Sequence, residues 1–440
     1  MTVVVGLDIG TTAVKALQVR EDGSAGDRDE RVYGPGADAA TIVSAALELA
    51  GDGPVALSSA MHSLIGLDAE NEPVTPLLTW ADTRSVEQAE RIKAEHPHLH
   101  ARTGTPIHPM SPLCKLAWFR DQGIEAERWV GIKELVVHRL TGEWVMDHSV
   151  ASGTGLMALE TLDWDPEALD VAGVTADQLP RLVPTTERLG FRAKRGWIVV
   201  GAGDGPLANL GLGAVQPGVA ACSIGTSGAL RLVVESAAVT DRTFCFALTP
   251  GRWVVGGAIN NGGIVLEWLS KTLNRPLETL LDLAADARSD GLQFDPYLLS
   301  ERAPHYDARL QASISGLRHD HGAGELVRAA LEGVCRQLGL VLDSLREAGY
   351  EVREIRATGG FARSPLFKQL LADALAMPVG FTGTREGSAY GAALLGLAAL
   401  DLVDLDRTAA LIGVTETVEP SPVRTQARPS GRAFIPNTPE

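Results

Sequence analysis

Short apolar runs broken by glycine punctuate the chain, and their spacing predicts most of its elements. The opening MTVVVGLDIG holds an apolar run that halts at Gly10, and AVKALQV resumes it beyond two threonines. Residues 7–17 (LDIGTTAVKAL) therefore predict strand, tight turn, strand. The same pattern returns at 222–232 (CSIGTSGALRL), and the two segments align without gaps. Each sits near the start of one half of the chain, so a duplicated domain is expected. Between them, 55–68 predicts strand, loop, strand, and 83–97 a polar-faced helix stopped by Pro97. Residues 111–123 predict a helix opened by Ser111 and Pro112 and closed by Gly123. The stretch 197–215 (WIVVGAGDGPLANLGLGAV) reads as strand, glycine-rich turn, helix.

In the second half, Leu326, Ala330, Val334, Leu338, Val341 and Leu345 form one apolar stripe, predicting a helix over 325–346. Residues 355–375 (IRATGGFARSPLFKQLLADAL) predict a strand to Thr358, a turn at Gly359 and Gly360, and a helix capped by Ser364 with Pro365 first. Leu366, Leu370, Leu371 and Ala374 would be its buried face. From 415 to 440 the chain is rich in Pro, Thr, Ser and Arg, which predicts an extended or mobile tail.

Length turns this pattern into a domain count. At 440 residues the chain exceeds one ordinary core, and two domains of about 200 residues are the default. Apolar residues at 45% and charged ones at 21% are ordinary globular usage. The net charge of −16, from 39 Lys and Arg against 55 Asp and Glu, argues against nucleic acid, which basic stripes grip. An anionic ligand must then be held by backbone amides, a metal ion or a few local cations. Cys114, Cys222, Cys245 and Cys335 form no CxxC pair, so reduced, buried thiols are expected rather than disulfides, zinc or an iron–sulfur centre. No basic leader and no run of about 18 apolar residues occurs, so a cytoplasmic protein with no membrane contact is expected.

The glycine turns carry the candidate chemistry. Two IGT[TS] hairpins facing each other, with a Gly-Gly turn opening toward a helix, could hold a triphosphate on backbone amides and hydroxyls. Asp8, before the first turn, is a hard oxygen ligand suited to Mg²⁺, although an aspartate capping its own turn is common. Lys15 could meet a phosphate or simply be a solvated strand lysine. No Walker A sequence is present. Asp204, in GAGDGPLANLG, is either a helix N-cap or a general base with space left by Gly203 and Gly205. The dipole of the following helix is expected to keep it ionised at neutral pH.

In order, GLDIGTTAVK, GAGDG, CSIGTSG and ATGGFARSPLFKQLLAD resemble the motifs of the FGGY carbohydrate kinases, from about residue 3 to about residue 400. The resemblance implies an α/β fold of two duplicated actin-like ATPase (ribonuclease H-like) domains with an interdomain cleft. Residues 1–212 would bind sugar and carry the first phosphate motif and the catalytic aspartate; 213–440 would carry the second phosphate and adenosine motifs. It implies ATP and Mg²⁺ as cofactors, Asp204 as base, and Asp8 with Asp204 at the metal. Thr11, Thr12, Lys15, Gly225, Thr226, Ser227 and Gly263 would serve the phosphates, and Gly359, Gly360 and Ser364 the adenosine. Met61, His62 and Met110 would line the sugar pocket together with Asp204; Trp80 and Asp82 would line or buttress it, and Arg84 would either join it or be a solvated helix residue.

MHSLIGLD (61–68), TWADTRS (79–85), RTGTPIHPMSPLCKLAWFR (102–120), SGTGLMALETLDWD (152–165) and ERAPHYDARLQASISGL (301–317) resemble the gluconate-kinase branch of that family. Gly205 fits this branch too, since the glycerol and xylulose kinases usually carry a polar residue there. The implied partners are a small sugar acid and ATP, with room for a homodimer. Counter-charge for an acid would come from His62, Arg84, Lys115 or Arg302, with His62 first. A xylulose or ribulose kinase is the nearest alternative. A non-catalytic actin-fold sensor or an assembly protein is the alternative from another class. Residues 20–42 are shorter than the family's usual strand-plus-helix region, and 233–250 and the C-terminal end also look abbreviated.

Overall fold

The computed structural model describes residues 2–193, 195–383 and 387–422. Two mixed sheets repeat one topology. Across the first, the strands run Ala25–Val32, Ala13–Arg20, Val3–Ile9, Val55–Ser59, Trp197–Gly203 and Arg188–Gly190. Across the second they run Phe244–Thr249, Arg252–Ile259, Gly228–Val234, Val219–Ile224, Glu354–Gly359, Val379–Thr382 and Val414–Val418. In each, the hairpin and a third strand antiparallel to it lead to two more that lie parallel to the first strand of the hairpin; the second sheet adds a fourth antiparallel strand, Phe244–Thr249, at its edge. That shared order is the actin-like duplication the hairpins predict.

The ungapped match of the two hairpins ends at their turns. Gly10 N–H closes on Ala13 O at 3.0 Å, whereas Gly225 N–H closes on Ser227 O at 2.8 Å. The second turn is one residue tighter, so Ala221 pairs with Arg231 where Gly6 pairs with Leu17. A one-residue slip reverses which face each side chain takes.

Most predicted elements form near their expected bounds. The helix predicted to stop at Pro97 forms as Val86–Glu95, and a short helix not predicted from the sequence, His98–Thr103, starts beyond the proline. Pro112–Asp121, Ala323–Glu347 and Pro365–Leu375 follow, the last capped by Ser364 Oγ, which accepts from Phe367 N at 3.3 Å. Phe367, rather than Leu366 or Ala374, joins Leu370 and Leu371 on the buried face of that helix. The stretch 20–42 supplies the strand Ala25–Val32 and opens the helix Ala39–Leu49, where Asp38 Oδ1 accepts from Thr41 N at 2.8 Å. The expected tail begins instead as an edge strand, Val414–Val418, antiparallel to Val379–Thr382; 423–440 lie outside the described residues.

The helix Gly387–Ala399 returns to the first half and packs on helix Asp204–Gly211 and strand Val3–Ile9. Its small residues permit the approach: a Cβ on Gly391 would stand 1.9 Å from Leu207 O. All four cysteines are buried and none is in a disulfide. Among the described residues no helix is long and apolar enough to cross a membrane.

Candidate active site

The site is built where parallel strands end side by side, the usual place for ligands in such sheets. In the first sheet Asp8 lies opposite Ser58, and Ser59 opposite Gly203, so three strands deliver Asp8 and Asp204 to one edge. In the second, Ile224 lies opposite Gly359, which sets the two glycine turns next to each other. A cleft of about 510 Å³ lies between these edges, and Thr11, Asp204, Gly225, Ser227, Gly359 and Gly360 all line it. Gly359 has φ +129°, and a Cβ there would stand 1.9 Å from Ile224 O, so no larger residue fits.

Asp204 is the first residue of its helix, and Gly203 occupies the N-cap. An N-capping role is therefore not its role. Its Oδ1 accepts from Gly205 N–H at 2.7 Å. Burial between the sheets raises its carboxyl above the ordinary 3.8, against the pull of the Gly205 N–H, Arg231 and Arg302. Desolvation thus works against the ionised form that the dipole of the helix favours. Arg231 is held by Asn209 Oδ1 at 3.1 Å and Ser223 Oγ at 2.8 Å.

The strand entering Asp204 is pinned from behind. Lys133 Nζ donates to Ala202 O at 3.2 Å and pairs with Asp147 Oδ2 at 2.6 Å, while Gly203 N–H donates to Ser149 Oγ at 3.2 Å. Lys133 and Asp147 are both buried. Asp8 accepts from Ser58 Oγ at 2.7 Å on its Oδ1. Hard oxygen donors at the strand ends suit Mg²⁺.

Other predicted phosphate residues lie around the cleft rather than in its lining. Lys15 stands across from Asp8 in the first hairpin. Thr12 and Thr226 are exposed at the turns. Gly263 buttresses the second turn, its N–H donating to Gly225 O at 2.8 Å, and Ser364 caps its helix.

At the end of the cleft where the sequence predicts the sugar pocket, Met61, His62, Trp80 and Met110 line it with Phe244, Phe246, Arg302 and Tyr306. His62 Nδ1 lies 2.7 Å from Gly153 O, an acceptor, so Nδ1 carries the proton. Burial, with Lys115 nearby, lowers its pKa to about 3. His62 is thus neutral, with Nε2 left as an acceptor for a hydroxyl, and is no source of counter-charge. Lys115, another candidate for counter-charge, does not line the cleft: it is fully buried and donates to His62 O at 2.6 Å and Thr79 O at 2.8 Å, fixing the wall. Asp82 and Arg84 stand off the cleft, paired at 2.9 Å, with Arg84 over the Trp118 ring. Arg302 instead stacks over Trp80, 5.0 Å from the ring centroid, and reaches the cleft. Sequence reasoning missed Arg231, Phe244, Phe246 and Tyr306; Arg231 and Tyr306 lie within quoted segments without being singled out, and Phe244 and Phe246 lie in none.

A model of the N-terminal domain of the FGGY family of carbohydrate kinases matches residues 41–211, and one of the C-terminal domain matches 220–400. The gluconokinase of Bacillus subtilis (strain 168) is 39% identical over 463 aligned residues, covering 93% of this chain and 90% of its own. Two solved structures from Lactobacillus acidophilus, a gluconate kinase and a ligand-bound xylulose kinase, each align with a TM-score of 0.90. Both are 32% identical and cover 97% of this chain and 95% of their own.

Proposed function

The chain belongs to the FGGY family of carbohydrate kinases, and from that premise we infer that it transfers the γ-phosphoryl group of ATP to the terminal hydroxyl of D-gluconate. The products are 6-phospho-D-gluconate and ADP. The observation that carries the reading is the 39% identity to a gluconokinase over nearly the full length of both chains. The geometry agrees with it, since one carboxylate faces two glycine turns across a cleft.

Phosphoryl transfer asks a protein mainly for positioning and charge neutralisation. Asp204 takes the proton of the sugar hydroxyl as that oxygen attacks the γ-phosphorus and ADP leaves. Thr11, Gly225 and Ser227 offer backbone amides and hydroxyls to the phosphates, and Gly359 and Gly360 let the nucleotide lie against bare backbone. Arg231, beside Asp204, adds a fixed positive charge where negative charge gathers. We assign Mg²⁺ to Asp8, with Asp204 close by; when bound with ATP the ion neutralises phosphate charge. Met61, Trp80 and Met110 form the apolar wall of the sugar pocket, and His62 accepts from a sugar hydroxyl. We place the enzyme in the cytoplasm, where ATP is at hand.

A second reading, phosphorylation of D-xylulose, is favoured by the equally similar xylulose kinase structure. ADP release measured over D-gluconate, D-xylulose, D-ribulose and glycerol separates the two. The expected result is a kcat/KM for D-gluconate at least about tenfold above the others, which corresponds to about 1.4 kcal/mol. Faster turnover of D-xylulose would overturn the gluconate reading.

A further inference from the structure

Two residues that line the cleft, Arg302 and Tyr306, and His108 outside its lining each carry a hydrogen-bond donor with no partner. The donors are Arg302 Nε, Tyr306 Oη and His108 Nε2, and all three atoms are buried. Buried donors are ordinarily satisfied, so three together point to an occupant. Arg302 and Tyr306 belong to one turn, closed by Tyr306 N–H donating to Arg302 O at 2.6 Å, and both line the cleft. The His108 ring stands edge-on to Tyr306, with centroids 6.4 Å apart.

The tautomer of His108 follows from its other nitrogen. Met110 N–H donates to Nδ1 at 3.2 Å, so Nδ1 holds a lone pair and the proton sits on Nε2. Arg302, Lys93 and Lys115 surround this ring with positive charge, and Asp307 is the opposing carboxylate nearby. Donors without acceptors, in a positive field, call for an anionic acceptor. His62 is the complement: its Nδ1 is spent on Gly153 O, which leaves an acceptor for hydroxyls.

Glu301 fixes the turn that presents this group. Its buried carboxylate accepts from Asn260 N at 2.5 Å, Arg302 N at 2.9 Å and Asn261 Nδ2 at 3.1 Å. The Arg302 side chain is fixed further by Ile259 O, at 3.2 Å from Nη2, and by the face of Trp80. Nε is the buried nitrogen of the guanidinium left without a partner.

We propose that Arg302, Tyr306 and His108 form the carboxylate subsite of the sugar pocket, receiving the acid end of an aldonate whose far hydroxyl lies at Asp204. This deepens the gluconate reading and rests on it. Arg302 and Tyr306 touch the carboxylate, and His108 completes the donor set behind them.

The test compares D-gluconate with D-glucitol, the same carbon chain with CH₂OH in place of the carboxylate. Wild-type chain, Tyr306→Phe and Arg302→Lys are assayed by calorimetry for both ligands and by steady-state kinetics on D-gluconate. Thermal melts confirm that each variant is folded; Tyr306→Phe keeps the buried ring and removes one oxygen. Losing one hydrogen bond to a charged group predicts a weakening of D-gluconate binding by about tenfold or more. D-Glucitol affinity should stay within about twofold, and kcat on D-gluconate should change less than KM. An acid-to-neutral affinity gap of wild-type size in both variants would overturn the subsite. So would equal loss on both ligands, which marks a structural polar pocket only. The functional reading is judged separately, on wild-type turnover of D-gluconate against D-xylulose.

Discussion

Asp204→Asn is expected to lower kcat by about 10²–10⁴-fold while the dissociation constant for ATP changes by no more than about twofold. The substitution is chosen because it changes so little else. Asparagine keeps Oδ1, so the acceptor for Gly205 N–H at 2.7 Å survives and the helix start is undisturbed. It removes only the ability to take a proton and the negative charge. Were Asp204 a structural residue of the helix terminus, asparagine would serve equally well there and activity would persist. Near-normal turnover, measured by coupled ADP release with nucleotide binding checked by calorimetry, would sink the assignment.

The same residue sets the acid limb of the pH profile. Burial raises its carboxyl above 3.8. A base works deprotonated, so kcat/KM should hold above the folded pKa and fall as pH drops through it. The limb therefore lies above 3.8, the ordinary aspartate value. Arg231 pulls in the opposite direction, favouring the ionised form. Arg231→Gln should move the limb to higher pH, and a shift downward would contradict this electrostatic account.

The fold was legible because its punctuation is local. An apolar run ending in Ile-Gly-Thr signals a strand and turn within a few residues, and two of them disclose the duplication. Asp204 was legible for the same reason: strand, glycines and helix start lie within one short stretch. Arg231 was not, because the ungapped alignment sets it against Ala16, and the tighter second turn shifts the strand register by one. Lys115 misled because its helix is buried on nearly all sides, and an apolar pattern without a polar face gives a lysine no visible exit. Asp82 and Arg84 pair with each other, a local bond that composition cannot distinguish from a ligand pair. Nor does any local pattern reveal that Gly387–Ala399 packs on the first sheet rather than the second. Tyr306 becomes a site residue only through the long-range docking of the turn it shares with Arg302, which stacks on Trp80.

Lys133→Met is expected to destabilise the first lobe by about 3–5 kcal/mol, the usual consequence of leaving one member of a buried ion pair alone. Lys133 and Asp147 are 1% and 0% exposed, so neither charge is solvated in compensation. Asp147 Oδ1 would still accept from Val150 N–H at 3.0 Å, but Oδ2 would lose its cation. Ala202 O would lose its donor as well, two residues before Asp204. Methionine keeps most of the stem volume, so packing loss is a small part of the effect. Adding Asp147→Asn removes the stranded charge and retains the Val150 contact, so the double variant should recover much of the stability. Catalysis should not recover with it, because the carbonyl that orients the strand end remains without its lysine. Urea unfolding of the single and double variants, followed by tryptophan fluorescence, reads the first effect, and kcat at saturating substrates reads the second. A single variant as stable as wild type would refute the buried-pair argument. A double variant with wild-type kcat would show that Lys133 supports the lobe without positioning Asp204.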